Sequence, residues 1–591
     1  MSTAAAWILS VSLGCGAAQT DVAAPPRPTT AAVNHAASPK PAMPAGWRFA
    51  NEAPVAGKRG MVVTDAALAS KVGLEVLATG GNAIDAAVAT AFALAVVHPS
   101  AGNIGGGGFM VARVGRETRT LDFRETAPAA AARDMYLGAD GKSTDAARKG
   151  HRSAAVPGSV AGLWEAHRVL GSKRKTWEEL VRPAIKLAEE GFRVDEGLAD
   201  SVVHADARLQ GFPASAALFY PDGKPLGVGA IWKNPDLAAV LRRVAADGPA
   251  GFYAGPTAHL IVDEMKAGDG VMTLADLAAY KPAWRAPVEF DYRGHHVISM
   301  PPPSSGGVTL AMICHILDGY DLKPLGWHTA PELHLVFEAM RRAFAARNAR
   351  LGDPDFVRNP LDELLSPAWA DAQRKTILPD HATPSADIAP GGHEGGMGPH
   401  TTHFSVTDEQ GNAVALTTTI NWWFGSGVTV HGAGFLLNNE MDDFASVPGT
   451  ANGFGLVQGE PNAVAPGKRM LSSMAPTIVL GPDGGVRLVL GAAGGPTIIS
   501  AVFNTMSSVL DFGLDVSTAV SAPRFHQQHL PDVVLFEKDG LEGDTKLALE
   551  TMGYKFVEKG HIADAPAIGR GVGEWLGASE PRRLGGLAAG R

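Results

Sequence analysis

The stretch from Thr401 to Asn421 constrains what this chain can fold into more than any other. Thr401-Thr402-His403-Phe404-Ser405-Val406-Thr407 is rich in β-branched residues and reads as a strand. Asp408-Glu409-Gln410-Gly411-Asn412 carries turn chemistry, and Ala413 to Asn421, rich in Val, Leu and Thr, reads as the returning strand. A loop of those five residues predicts the register: Thr407 faces Ala413, Ser405 faces Ala415, and Thr401 faces Thr419. Directly opposed side chains have Cβ atoms roughly 4.5–5.5 Å apart. Asn421 follows Thr419 on the same face, because side chains alternate with a period of two. The hairpin therefore gathers Thr401, Thr419 and Asn421 into one polar cluster, which a one-residue slip would disperse. Taken alone, solvent-facing threonines are the plainer reading of that cluster.

The hairpin begins abruptly. Before it, Ser385 to Gly398 is rich in Pro, Gly and His, lacks periodicity, and reads as a flexible loop. Far upstream, the folded part is expected to begin near Trp47. Asp65 to Thr79 has helical apolar spacing and stops at Gly80-Gly81. Asp85 to Val97 reads as an Ala-rich helix buried on most sides. The glycine run in Asn103-Ile104-Gly105-Gly106-Gly107-Gly108-Phe109-Met110 lacks the Gly-Lys-Ser/Thr of a phosphate loop and leads into strand-like residues, so close backbone packing is expected. From there to about residue 400 helices and short strands alternate, and Glu332 to Arg347 has the spacing of an amphipathic helix.

Several chemistries fail on their motifs. His334 and Glu338 share a helix face without a His-Glu-x-x-His pattern, and His526 and His529 have no third ligand nearby, so a structural role is expected for all of them. No Gly-x-Ser-x-Gly elbow and no internal repeat occurs. The formal net charge of -9 is spread along the 591 residues without a basic stripe, which argues against nucleic-acid binding. The two cysteines, Cys15 and Cys314, exclude a disulfide framework or a zinc knuckle, and Cys314 sits in an apolar run that suits a buried thiol. Ala4 to Ala18 is an apolar run too short for a comfortable membrane span and reads as an export leader, although it lacks a basic start. Ser12-Leu13-Gly14-Cys15 is an imperfect lipoprotein site that makes Cys15 a candidate lipid anchor, and Gln19 to Gly46 reads as an Ala/Pro-rich tether. The expectation is an exported protein, periplasmic or an outer-surface lipoprotein of a bacterium, with residues 1–46 as leader and tether.

What changes the reading of the hairpin is its surroundings. Thr401 to Asp408, Gly411-Asn412-Ala413-Val414-Ala415, Asn438-Asn439-Glu440-Met441-Asp442-Asp443-Phe444, Lys468 to Thr477, the Gly491–Gly495 turn and Ala522-Pro523-Arg524-Phe525-His526 together resemble the small subunit of the γ-glutamyltranspeptidase family, within the N-terminal-nucleophile hydrolases. Gly80 to Ala87, Leu121-Asp122-Phe123-Arg124-Glu125, Pro301 to Gly307 and Leu351-Gly352-Asp353-Pro354-Asp355 resemble its large subunit. The likeness runs from about residue 50 nearly to the C-terminus.

That resemblance implies an α+β chain folded as a four-layer αββα sandwich, built jointly by two autoprocessed fragments, 47–400 and 401–591. Cleavage between His400 and Thr401 would make Thr401 the nucleophile and its freed α-amine the base. Thr419 would orient the hydroxyl, and the amides of Gly494 and Gly495 would hold the oxyanion. Arg124, Ser472 and Ser473 would meet a glutamyl α-carboxylate, while Asn421, Glu440 and Asp443 would hold the α-ammonium. The implied substrates are γ-glutamyl donors such as glutathione, with water, amino acids or peptides as acceptors. No metal or organic cofactor is needed. Ala445 to Gly459 resembles a lid, but Phe454 stands where a tyrosine usually bonds the asparagine matching Asn421, so a looser lid is expected. Trp422-Trp423 is bulkier than usual beside the site, and Ile562 to Gly573 matches poorly. Two alternatives remain: an acylase of the same fold acting on glutaryl-cephalosporin side chains, and a catalytically silent binding homologue.

Overall fold

The computed structural model describes residues 41–49, 53–388 and 401–591. The leader with Cys15, most of the tether, residues 389–398 of the expected loop, and His400 lie outside the described residues. In chain order the strands that matter here are β1 (Val55–Gly57), β2 (Gly60–Thr64), β3 (Gly107–Val114), β4 (Glu117–Asp122), β5 (Ala283–Arg285), β6 (Val288–Tyr292) and β7 (His295–Ser299). They continue with β8 (Thr401–Asp408), β9 (Ala413–Thr419), β10 (Thr477–Leu480), β11 (Val486–Leu490), β12 (Ala567–Arg570), β13 (Trp575–Ala578) and β14 (Leu587–Gly590).

These strands make two seven-stranded sheets, ordered β14-β2-β8-β9-β3-β4-β5 and β1-β13-β12-β11-β10-β7-β6. Every neighbouring pair is antiparallel. The predicted hairpin, β8 and β9, lies in the middle of its sheet, flanked by β2 and β3 from far upstream. Strands from before and after residue 401 interleave in both sheets, so the two stretches of chain share one core.

Alternation along β8 decides which side chains face which core. Phe404 and Val406, with Val414, Leu416 and Met110, pack under α2 (Ala83–Val97), next to α1 (Ala67–Ala78). All of α2 is buried, and a capping box closes its start: Asn82 accepts from the Asp85 amide, and the Asp85 carboxylate accepts from the Asn82 amide. The opposite face of the same sheet, with Met61, Val63, Val111, Ala413 and Ala415, meets Ile298, Ile478, Val489 and Ile568 of the second sheet. The far side of that second sheet, with Val297, Val479, Leu488 and Leu490, is covered by α3 (Gly306–Leu317), α4 (Ala330–Arg350) and α5 (Thr497–Leu510). Cys314 is buried within α3, as expected.

Two expectations need correction. The helix predicted over Glu332–Arg347 forms, but it is not amphipathic in the usual sense. Most of its length is buried, including Arg341, Arg342 and Arg347. Several of its polar side chains are paired inside the fold: Tyr554 Oη pairs with His334 Nδ1 at 2.9 Å and with Glu338 Oε1 at 3.1 Å. Ser385 to Ile388, read as the start of a flexible loop, is a helical turn. There the Ser385 hydroxyl donates to His529 O at 2.5 Å and its amide to Asp532 Oδ2 at 2.9 Å, contacts across the fold that composition does not reveal.

Candidate functional site

The hairpin has the register read from its sequence: Thr407 pairs with Ala413, Ser405 with Ala415, and Thr401 with Thr419. Asp408 closes the turn by accepting from the Gln410 and Asn412 amides at 3.0 Å each. Thr401 stands at the strand end, 6 % exposed, with its hydroxyl 3.4 Å from Thr419 Oγ1. Thr419 Oγ1 also accepts from the Asn421 amide at 2.7 Å, which anchors Asn421 in a left-handed backbone conformation at φ +73°. Asn421 Nδ2 donates to Asn439 O at 3.0 Å.

The glycine run explains how β3 approaches this end so closely. A Cβ on Gly106 would sit 2.1 Å from Thr419 O, and one on Gly108 would sit 2.4 Å from Thr417 O. Asn103 Nδ2 bridges to Thr419 O at 2.9 Å and to Thr418 Oγ1 at 3.0 Å. The run packs backbone against backbone and fixes the strand that carries Thr419.

A pocket opens beside Thr401, lined by Arg124, Thr419, Asn421, Glu440, Asp443, Ser472, Ser473 and Gly495, with Phe454 above them. It thus collects all of the sequence-predicted side chains. Gly494, which contributes only backbone, adjoins it. Arg124, 1 % exposed, is held by the loop after β4 through its amide bond to Asp122 Oδ1. Its Nη1 lies 2.6 Å from Glu440 Oε2, and its Nη2 pairs with Asp443. Glu125 lies 3.7 Å from the same guanidinium.

Two buried carboxyls, Glu125 and Glu440, and the half-buried Asp443 share the single guanidinium of Arg124. Burial pushes the Glu125 carboxyl up to about 8 and Glu440 well above the usual range, with Arg124 opposing both. Burial alone would disfavour the Arg124 charge, but Glu440, Asp443 and Glu125 outweigh it and hold the guanidinium above its ordinary value. A ligand bringing an ammonium would supply the missing cation.

Gly494 and Gly495, the latter lining the pocket with Thr401, have φ values of +149° and +60° and lead into α5. Neither of their backbone N–H groups has a hydrogen-bond partner among the described residues. Two unpaired donors at a helix N-terminus are what a developing oxyanion requires. Phe454, 3 % exposed, covers Gly495 and packs against Trp422 with ring centroids 5.4 Å apart. The Phe454 ring, which has no hydroxyl to offer Asn421, is seated by aromatic packing on Trp422. Trp422 Nε1 in turn donates to Asp442 Oδ2 at 3.1 Å.

Sequence reasoning missed two side chains. Glu125, next to Arg124 in sequence, completes the acidic cluster. Arg347 lies behind the pocket and donates from Nη2 to Ser473 Oγ at 3.1 Å. Its place in a helix of many arginines offered no local signal. His526 is held inside the fold, between Ser500 Oγ at 2.6 Å and Gln528 Oε1 at 2.9 Å. Among the described residues no group of acidic, histidine or cysteine side chains is arranged to hold a metal, and no helix is long and apolar enough to cross a membrane.

Comparison with known proteins agrees with this geometry. A glutathione hydrolase proenzyme of Pseudomonas sp. (strain A14) is 48 % identical over 556 residues, covering 92 % of this chain and 96 % of that one. A glutathione hydrolase proenzyme of Escherichia coli (strain K12) is 43 % identical over 561 residues, covering 94 % and 96 %. The crystal structure of a cephalosporin acylase from Bacillus halodurans superposes with a TM-score of 0.80 at 28 % identity, covering 91 % of this chain and 97 % of that one. The profile of the γ-glutamyltranspeptidase family matches residues 69–590, and on that span the chain belongs to the γ-glutamyltranspeptidase family.

Proposed function

We propose that this enzyme hydrolyses and transfers γ-glutamyl groups, with glutathione as a donor, and that Thr401 is its nucleophile. The observation that carries the proposal is one pocket lined together by Thr401, by Gly495 and by the charged set Arg124, Glu440 and Asp443. A threonine hydroxyl is a weak nucleophile without a base. As the first residue of a fragment, Thr401 carries an α-amine that titrates at about 7.7–8.0 when unperturbed, so part of it is neutral near pH 7.

In the processing step, Thr401 Oγ1 attacks the His400 carbonyl, the peptide C–N bond breaks as the nitrogen takes up a proton, and an ester forms. Breaking the C–N bond frees the α-amine, and water then cleaves the ester to leave a His400 carboxylate and the free Thr401 hydroxyl. In turnover, Thr401 Oγ1 attacks the γ-glutamyl carbonyl while its proton passes to the α-amine and then to the leaving amine. Water releases glutamate from the acyl-enzyme, or an amino acid or peptide amine takes the glutamyl group. Residues 47–400 and 401–591 are the two fragments of one four-layer αββα sandwich. The interleaving of their strands supports this, since neither stretch buries both sheets alone. The leader reading adds export to the periplasm or outer surface.

The acylase reading shares the fold and Thr401. Its glutaryl group has no ammonium, and the surplus of buried carboxylate around Arg124 favours a donor that brings one. Purified protein is expected to run as two bands, with the smaller beginning Thr401-Thr402, and Thr401→Ala as one band that releases no amine from a γ-glutamyl anilide. An uncut wild type, or an active Thr401→Ala, sinks the proposal.

A further inference from the structure

Arg347 on α4 is fully buried, and each of its hydrogen bonds goes to a neutral oxygen. Nε donates to Ser305 Oγ at 2.9 Å, and Nη1 donates to Asn348 Oδ1 at 2.8 Å and Gln458 Oε1 at 3.2 Å. Nη2 donates to Ser473 Oγ at 3.1 Å. Among the described residues no acidic side chain lies within ion-pair range of it. The neighbouring arginines of the helix differ, since Arg341 pairs with Asp532 and Arg342 with Glu338. Burial brings Arg347 down to about 10, with the field of Asp443 opposing, so the group still carries its charge at neutral pH.

A buried guanidinium without a counter-ion is costly, and it favours any anion that can reach its surroundings. The pocket gives an anion that route. Ser473 lines the pocket, and its Oγ lone pair is taken by Arg347, so its proton is left to donate inward. A hydroxyl that accepts from a cation is polarised into a stronger donor. Ser472 is set the same way, because its Oγ accepts from the Met474 amide at 3.1 Å. The Ser305 hydroxyl, itself held by Arg347, donates to Ser472 O at 2.6 Å and locks that backbone. Arg124, by contrast, is engaged by the side chains of Glu440 and Asp443.

We propose that Arg347 is a positioning residue for the donor's α-carboxylate: it turns the Ser473 hydroxyl proton into the pocket and supplies positive charge that an entering carboxylate completes. This rests on the γ-glutamyl reading above. Arg347 does not touch the donor; it acts through Ser473 and through its field. A residue in this role affects donors with an α-carboxylate and spares those without one.

The test compares γ-glutamyl anilide with 4-aminobutanoyl anilide, the same donor lacking the α-carboxylate, on processed enzyme. Arg347→Met is expected to raise KM for the γ-glutamyl donor about tenfold, with kcat within about threefold, and to leave KM for the 4-aminobutanoyl donor within about twofold. Arg347→Lys keeps the charge but loses the fork, so the KM ratio between donors should shrink about threefold. If Arg347→Met yields no folded enzyme, the lysine variant carries the test, and an unchanged ratio there overturns the proposal. Equal rises in KM for both donors would make Arg347 a structural strut and overturn it as well. If wild-type enzyme itself does not prefer the γ-glutamyl donor, the γ-glutamyl reading falls first and takes this inference with it.

Discussion

Replacing Gly494 by alanine tests the oxyanion geometry most directly. At φ +149° an L-residue is strained, at a cost of about 1–3 kcal/mol. The new Cβ would also sit 2.5 Å from Thr497 Oγ1, 2.9 Å from Ala563 Cβ and 3.0 Å from Ala563 Cα. Thr497 cannot swing away freely, because its hydroxyl donates to Gly494 O at 2.7 Å at the start of α5. Ala563 is held by its neighbour Asp564, whose backbone exchanges hydrogen bonds with Ala493 at 2.7 and 2.8 Å. The peptide at 494 must therefore rotate, and its N–H leaves the direction of the Thr401 carbonyl adduct. Losing one oxyanion donor costs about 3–4 kcal/mol of transition-state stabilisation, or roughly 10²–10³-fold in kcat. The charge exists only in the transition state, so KM should stay within about threefold. Gly495→Ala is a graded control: φ +60° costs an alanine about 1–2 kcal/mol, and its Cβ meets the edge of a movable ring, Phe454, at 2.9 Å. About a tenfold loss is expected there, largely recovered in Gly495→Ala with Phe454→Leu. The assay is steady-state release from a γ-glutamyl anilide, with thermal unfolding to establish that each variant is folded. A folded Gly494→Ala enzyme with kcat within threefold of wild type would refute the oxyanion assignment.

Two further perturbations follow from buried charge. Arg124→Met leaves Glu440 and Asp443 without their cation, and breaking such a buried pair costs about 3–5 kcal/mol, so a Tm several degrees lower should accompany a raised KM for the γ-glutamyl donor; an unchanged Tm would contradict the pairing. His403, buried between Thr417 Oγ1 and Ser405 Oγ, is held neutral by burial with its pKa pulled down to about 3 from 6.5. Between those values the unfolded chain binds the extra proton, so this contribution is complete above about pH 6.5 and is lost as pH falls toward 3. At pH 5 the loss is about 2 kcal/mol. In the uncleaved Thr401→Ala chain, His403→Gln should shrink the difference in urea midpoint between pH 7 and pH 5; an equal difference in both chains rules this source out.

The hairpin was legible in sequence because its determinants are local. A loop of fixed length and a side-chain period of two set the Thr401–Thr419 register, and the tertiary structure had only to leave it undisturbed. The glycine run at 105–108 was legible for a similar reason, since close backbone approach excludes a Cβ there, whereas Gly494 and Gly495 came with the resemblance to the family. Resemblance to the family then assembled the pocket's members from across the chain.

What neither periodicity nor motif could supply was which of those members pair with each other. Arg124 and Asp443 are 319 residues apart, and the pairing of β9 with β3, and of β3 with β4, brings their strand ends into one neighbourhood. The burial of α4 is of the same kind. Its arginines read as a solvated face because arginine is usually exposed, and the layers around it turned that face inward. Phe454 seated on Trp422 likewise depends on where a loop meets the strand end. Local sequence determined the nucleophile's strand and its partner. The charge balance around that nucleophile was decided by long-range packing, because burial and counter-ions are properties of the surrounding fold and not of the residue that carries the charge.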